Sequence, residues 1–199
     1  MDKTTDRRII KSKKAIQSAF LEMLLDDGFD AITVKDMTEK ADISRKTFYL
    51  HYLDKYDLLN EIVDGTIEEL TELCEKKKDL GFVEGTVLWF NYFENHKPFF
   101  NALFSTESTI TFRHRLLDFI MEQLNLKLEE VSSQKNTEVL RKFMAMAVLG
   151  VLESYVLNQF HVGIEEIAKQ VGELLEQIIL QAQITSDPSP CKTPPQPPC

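Results

Sequence analysis

Cysteine is nearly missing from this chain. Cys74, Cys191 and Cys199 are odd in number, far apart and outside any metal-ligand spacing. That excludes a disulfide framework and points to a reduced, cytoplasmic chain. Glycine is scarce too, at 7 residues, and Val and Ile never form the alternating runs of a half-buried strand. No apolar run approaches the ~18 residues of a membrane span. The N-terminal stretch MDKTTDRRIIKSKKAI has no apolar centre like that of a signal peptide, so no membrane partner is expected. The four histidines, His51, His96, His114 and His161, show no spacing such as H-E-x-x-H. A nucleophile elbow, a P-loop and a glycine-rich dinucleotide turn are all lacking. Neither catalysis, a metal nor a cofactor is expected, and His114 with Asp118 on one helix face reads as a surface pair.

What is present favours helix. Ala, Leu, Glu, Lys, Met and Gln dominate, with 43% apolar and 28% charged residues in a 199-residue chain. The net charge of −9 is unevenly placed. Residues 1–60 carry 11 Lys and Arg against 11 Asp and Glu, so the whole acidic excess follows residue 60. A nucleic-acid contact in the first third is therefore compatible with an acidic chain, provided that it is local.

The pattern predicts an all-α chain. A first helix spans about 8–27, with Ile16, Ala19, Phe20, Met23 and Leu24 on one face. Gly28 ends it in a left-handed position, and Phe29 folds back onto its last turn. Three further helix starts share one signature: Thr33, Ser44 and Asp54 as caps, with the apolar pairs Ile32/Met37, Ile43/Phe48 and Leu53/Leu58 as staples. They set helices at about 34–40, at about 45–51 and from Lys55 onward. Later helices are predicted at 82–95, 98–105, about 109–131, about 136–160 and about 163–183. The final stretch SDPSPCKTPPQPPC holds six prolines in 14 residues, which predicts a disordered tail over 186–199.

Helices at 34–40 and 45–51, joined by Ala41, Asp42 and Ile43, make a helix-turn-helix arrangement. In the second of them Phe48 and Tyr52 share the inward face with Ile43. Arg45, Lys46, Thr47, Tyr49, Leu50 and His51 are left on the other sides. Such a helix can enter the major groove with Arg45 and Lys46 near base edges, hydroxyls and end amides on phosphates, and Lys55 on the flanking backbone. Ordinary surface charge on a small helical unit is the plainer alternative.

The segment TVKDMTEKADISRKTFYLHYLDKYDLL (33–59) resembles the DNA-binding signature of the TetR/AcrR family of bacterial regulators, T-x-x-x-I-A-x-x-A-G-V-S-x-x-T-x-Y-x-H-F-x-x-K-x-x-L. Thr33, Ala41, Ser44, Thr47, Tyr49, His51, Lys55 and Leu58 match it, and Met37, Ile43 and Tyr52 are apolar or aromatic replacements. Asp42 stands where the turn glycine is usual, and Thr38 where alanine is usual. With the first helix the resemblance covers about residues 8–60. It implies phosphate contacts by Thr33, Thr47, Tyr49, His51 and Lys55, and base readout by Arg45, Lys46 and Leu50. It also implies a helix-turn-helix DNA-binding domain at 1–54 and a helical regulatory and dimerisation domain at 55–185. The partner would be a double-stranded DNA operator.

In that family the C-terminal helices build a dimer and often a ligand pocket. The apolar stripes of the last two helices contain Val151 and Tyr155, then Val171, Leu175 and Ile178, which are the candidate residues of a homodimer interface; packing within one chain is the alternative. AVLGVLESYVLNQFHVGIEEIAKQV also resembles a C-terminal subtype of these regulators. Residues 82–121 are rich in rings. Trp89, Tyr92, Phe93, His96 and Phe119 are candidates to line a pocket for a small apolar ligand, with His114 or Arg113 as further anchors, and ordinary helical core is the alternative. The expectation is a ligand-responsive repressor. Its rivals are a regulator of the same fold controlled by a protein partner, and a DNA-binding protein acting outside transcription.

Overall fold

The computed structural model describes residues 3–76, 79–131 and 138–184. The predicted tail over 186–199 lies outside them. Among the described residues there is no strand. The helices are α1 (Lys3–Asp26), α2 (Val34–Lys40), α3 (Arg45–Tyr49), α4 (Lys55–Glu75), α5 (Phe82–Asn95), α6 (Lys97–Phe104), α7 (Ile110–Val131), α8 (Glu138–Val156) and α9 (Ile164–Ile184), with 3₁₀ turns at Phe29–Ala31 and Glu107–Thr109. No helix of the described residues is long and apolar enough to cross a membrane.

The local signals set the N-terminal unit. Ile16, Ala19, Phe20, Met23 and Leu24 are buried, the face predicted for α1. Gly28 adopts φ 77° and ψ 160°, an extended positive-φ conformation rather than the left-handed helical one, and one that is essentially glycine's alone. Phe29 turns back onto Phe20, with ring centroids 6.2 Å apart. All three caps form. Thr33 accepts from Asp36 N–H, Ser44 from Thr47 N–H, and Asp54 from the N–H groups of Tyr56 and Asp57. Asp42 takes the positive φ of 51° that the missing turn glycine requires. Thr38 is buried, and its hydroxyl is satisfied by donating to Lys35 O at 2.9 Å.

Two of the three staples close. Ile32 and Met37 are buried together, and half-buried Ile43 sits on the core that holds Phe48. The third does not: Leu58 is buried, but Leu53 is 82% exposed. Its N–H donates to Asp57 Oδ2 at 2.9 Å, and Asp54 next to it is fully extended. Polar groups close this helix start by themselves and leave the leucine outside. Helix α3 is also shorter than predicted, although Tyr52 N–H still donates to Phe48 O at 3.0 Å.

The larger part is a helical bundle. Helix α9 lies along α5, and Gly172 marks a close approach: a Cβ there would stand 2.7 Å from Val83 Cα. Rings run in series through the centre. Trp89 and Phe93 have centroids 4.6 Å apart, Phe93 and Phe100 4.4 Å, Phe100 and Phe112 5.9 Å, and Phe112 and Phe104 5.3 Å. Helix α8 ends earlier than predicted. Asn158 has φ 59°, Gln159 N–H donates to Ser154 O and Asn158 N–H to Tyr155 O, which is a Schellman stop built on asparagine.

The two parts meet where α6 packs on α1 and the 3₁₀ turns touch. Thr106 Oγ1 donates to Asp30 Oδ2 at 2.6 Å. Hydrogen bonds from Ser108 and then Thr106 hold the Asp30 carboxyl below its usual range. On the other side of that turn, Arg113 donates to Glu153 Oε1 at 2.8 Å and to the carbonyl oxygens of Phe104 and Thr106.

Candidate nucleic-acid interface and effector cavity

Helix α3 is anchored on one side and open on the other. Phe48 and Tyr52 face inward, at 0% and 3% exposure. The Tyr52 hydroxyl donates to Glu61 Oε1 at 2.8 Å, and Gln17 and Lys13 donate to the same carboxylate at 2.9 and 2.5 Å. This knot ties α3 to α1 and α4. Burial, reinforced by Glu61, raises the Tyr52 phenol above its ordinary range. On the open side Arg45, Lys46, Tyr49 and Leu50 are exposed. Among the described residues neither Arg45 nor Lys46 forms an ion pair.

The remaining predicted DNA contacts are more committed. Thr47 Oγ1 is 2.9 Å from Ser44 Oγ, next to the free amides of the α3 start. The Thr33 hydroxyl donates to Asp36 Oδ2 at 2.5 Å, which sets a carboxylate beside it. His51 Nε2 lies 2.7 Å from Ser12 Oγ, which itself donates toward the carbonyls of Arg8 and Ile9. With that hydroxyl proton directed at a carbonyl, the imidazole N–H points at Ser12 and into α1.

Lys55 departs furthest from expectation. Its ammonium donates to Phe29 O, Asp30 O and Ile32 O at 3.0, 3.3 and 3.0 Å, and lies 4.6 Å from the centre of the Phe29 ring. Three protons meet three carbonyls, so the side chain turns inward to close the 3₁₀ turn instead of reaching outward to a phosphate. The sequence reading also passed over the start of α1. Arg7, Arg8, Lys11 and Lys14 are exposed there, and the Ser12–His51 bond places this stretch beside the end of α3. The run DRRIIKSKK was the available signal.

A cavity of about 310 Å³ opens between the end of α4 and helices α5, α7, α8 and α9. Trp89 and Phe119 line it, together with Phe82, Gly85, Thr86, Phe90, Ile120, Leu124, Val148 and Leu175. Tyr92, Phe93 and His96 do not. Phe93 is fully buried in the ring series, the Tyr92 hydroxyl donates to Glu69 Oε2 at 2.7 Å, and His96 Nδ1 is bonded to Tyr92 O at 2.8 Å. The cavity face of α5 runs through 82, 85, 86 and 89, whereas Tyr92, Phe93 and His96 lie outside it. Arg113 is taken by Glu153 and lies elsewhere, and His114 is likewise absent from the lining. The polar lining is Glu75, Gln123 and Lys127 with Cys74 and Thr86.

The expected dimer residues divide. Val151 and Ile178 are half-buried, but Tyr155, Val171 and Leu175 are buried inside the single chain. The Tyr155 hydroxyl donates to Glu94 Oε2 at 2.6 Å, and burial, with that carboxylate, pushes its pKa up to about 12. Among the described residues, the large apolar side chains exposed on these helices are Val139, Phe143 and Met146 on α8 and Leu174 and Leu180 on α9. Helix α8 is apolar on more than one face, so periodicity could not say which face turns outward.

Comparison with known proteins agrees with this architecture. Residues 16–62 match the family described as bacterial regulatory proteins, tetR family, and residues 82–177 match a transcriptional regulator C-terminal region. The chain belongs to the TetR family. It is a DNA-binding transcriptional regulator. The HTH-type transcriptional regulator YxbF of Bacillus subtilis is 36% identical over 72 residues, 36% of this chain and 19% of that protein, so the match spans about a fifth of the relative. The dhaKLM operon transcriptional activator DhaS of Lactococcus lactis is 21% identical over 176 residues, 85% of this chain and 91% of that one. A solved structure of DhaS has a TM-score of 0.64 at 20% identity, covering 85% of this chain and 97% of its own. The regulator FadR from Bacillus subtilis, solved with stearoyl-CoA, has a TM-score of 0.60 at 15% identity, covering 81% and 96%. At these identities the two structures share the TetR fold with this chain.

Proposed function

We propose that this chain is a cytoplasmic, homodimeric repressor that reads a two-half-site operator with α3 and is released by a small, largely apolar ligand. The observation that carries the reading is the open face of α3, with Arg45 and Lys46 unpaired among the described residues on a helix fixed from behind by Phe48 and Tyr52. In this reading Arg45, Lys46 and Leu50 face base edges. Thr47, Tyr49 and the α1 cations hold phosphates, with Thr33 at the rim, and His51 and Lys55 position the unit from within.

The apolar residues left open on α8 and α9 support a twofold four-helix contact, since Phe143 is 62% and Leu174 58% exposed. The cavity supports the ligand. About 310 Å³ is at the lower end of the ~300–1,000 Å³ of small-molecule sites, and its walls are mainly apolar. FadR, solved with stearoyl-CoA, is a relative whose fold accepts a ligand with a long apolar chain. A ligand acts only through unequal affinity for the two DNA-binding arrangements, and ~1–3 kcal/mol of coupling changes operator affinity about 5- to 150-fold. The resemblance to DhaS, an activator by name, favours a second reading with the same machinery and positive sign. The test is a titration of operator binding with compounds that quench Trp89, the only tryptophan. The reading expects at least one of them to release the DNA. Quenching with no effect on operator affinity would remove the effector role of the cavity.

A further inference from the structure

Along α3 and the turn after it, Lys46, Tyr49, Leu50 and Leu53 fall at i, i+3, i+4 and i+7. Helical hydrogen bonding reaches Tyr52, since Leu50 N–H donates to Lys46 O at 3.2 Å and Tyr52 N–H to Phe48 O at 3.0 Å, and the chain then leaves the helix at Leu53. Lys46, Tyr49 and Leu50 therefore share one side, opposite buried Phe48 and Tyr52, and Leu53 follows them in the turn that leads to α4. Tyr49 is 57%, Leu50 73% and Leu53 82% exposed. Leu53 has no task in the core, because Asp54 and Asp57 alone close the start of α4. Two neighbouring leucines held open to water at the end of so short a helix call for a partner with apolar points.

We propose that Leu50 and Leu53 form a ridge that packs on thymine C5-methyl groups in the major groove, making recognition of each half-site depend on thymine beneath it. The inference rests on the reading of α3 as the DNA-facing helix. It extends readout beyond the helix to Leu53, in the turn that leads to α4. The thymine methyl is the apolar group that base edges present in the major groove. Exposed Arg45 and Lys46 at the start of the same short helix draw the ridge toward a polyanion, which suits a duplex and disfavours an apolar protein surface. Tyr49, on the same side, adds an edge that can lie against either a sugar or a methyl.

The test uses the full chain and an operator obtained by selection from random duplexes. Each thymine is replaced singly by deoxyuridine, which deletes the methyl and leaves the hydrogen-bonding edge unchanged. At least one replacement per half-site should weaken wild-type binding about fourfold, the equivalent of one buried methyl at ~0.8 kcal/mol. Leu53→Ala should lose a similar factor and become indifferent to that same replacement, and Leu50→Ala should do so at a neighbouring thymine. Both side chains are exposed, so the variants should keep the wild-type circular dichroism and melting temperature. Wild-type binding that ignores every deoxyuridine overturns the inference, as do leucine variants that remain sensitive to it. A change in the sedimentation of free protein on Leu53→Ala also overturns it, because the ridge would then be covered by a second copy. Failure to select any operator would instead defeat the reading of α3 itself.

Discussion

Replacing Lys55 by Met separates a stabilising role from a DNA contact. The substitution keeps the apolar stem beside Phe29 and Tyr56 and removes the ammonium that serves the carbonyls of Phe29, Asp30 and Ile32. Hydrogen bonds to a charged group contribute ~1.5–3 kcal/mol each when buried. This site is only half-buried and one of its bonds is 3.3 Å long, so water replaces part of what is lost. The expected net loss is about 2–4 kcal/mol. For a chain of this size that is a fall of about 4–16 °C in melting temperature. The same turn carries Asp30, which Thr106 grips, so the loss should also loosen the junction between the two parts. The assay is a thermal melt of the full chain together with operator affinity measured over a series of salt concentrations. Below the melting range, the slope of log affinity against log salt should stay within about 0.3 of the wild-type value. A variant that melts like wild type, with a salt slope reduced by about 1, would refute the reasoning and make Lys55 a phosphate contact.

Gly172→Ala should destabilise the chain by about 1–3 kcal/mol in chemical denaturation despite alanine's better helix propensity, because the new Cβ would meet the Val83 backbone at 2.7 Å. Gly85→Leu, at a glycine that lines the cavity and whose Cβ would meet nothing within 4 Å, should fill that space and abolish ligand quenching of Trp89 while leaving operator binding intact. Phe143→Glu should halve the sedimenting mass, with no loss of helical circular dichroism. The Tyr155 hydroxyl, raised to about 12 by burial and Glu94, favours the folded state up to the unfolded phenol value of ~10. That contribution should vanish as pH rises from about 10 to about 12, so wild type should lose stability over this window relative to Tyr155→Phe.

Much of the DNA-facing half was legible because its signals are local. Thr33, Ser44 and Asp54 cap helices wherever they lie, and Asp42 could be read as a substitute for glycine from turn chemistry alone. What was illegible depends on partners far away in the chain. Lys55 stands in the family's signature position, but it is captured by carbonyls more than twenty residues earlier. Tyr155 looks like an outward residue on an apolar helix until Glu94, 61 residues away, turns it inward. The ring-rich segment did announce a core and a cavity, but not their division. Phe93 fills the ring series, and space opens instead where Gly85 and Thr86 leave room beside Trp89. The stop of α8 at Asn158 was readable in principle, since asparagine is the commonest substitute for glycine in a left-handed cap.

The central claim is that the open face of α3 chooses the DNA sequence. Selection from a random duplex library, run in parallel with the wild-type chain and with the Arg45→Ala/Lys46→Ala variant, tests it most directly. The account predicts that wild type enriches a site with twofold symmetry, and that the variant binds that site more weakly by ~1–3 kcal/mol per lost base contact and enriches a relaxed sequence at the affected positions. Enrichment of the same site with the same stringency by both proteins would contradict it.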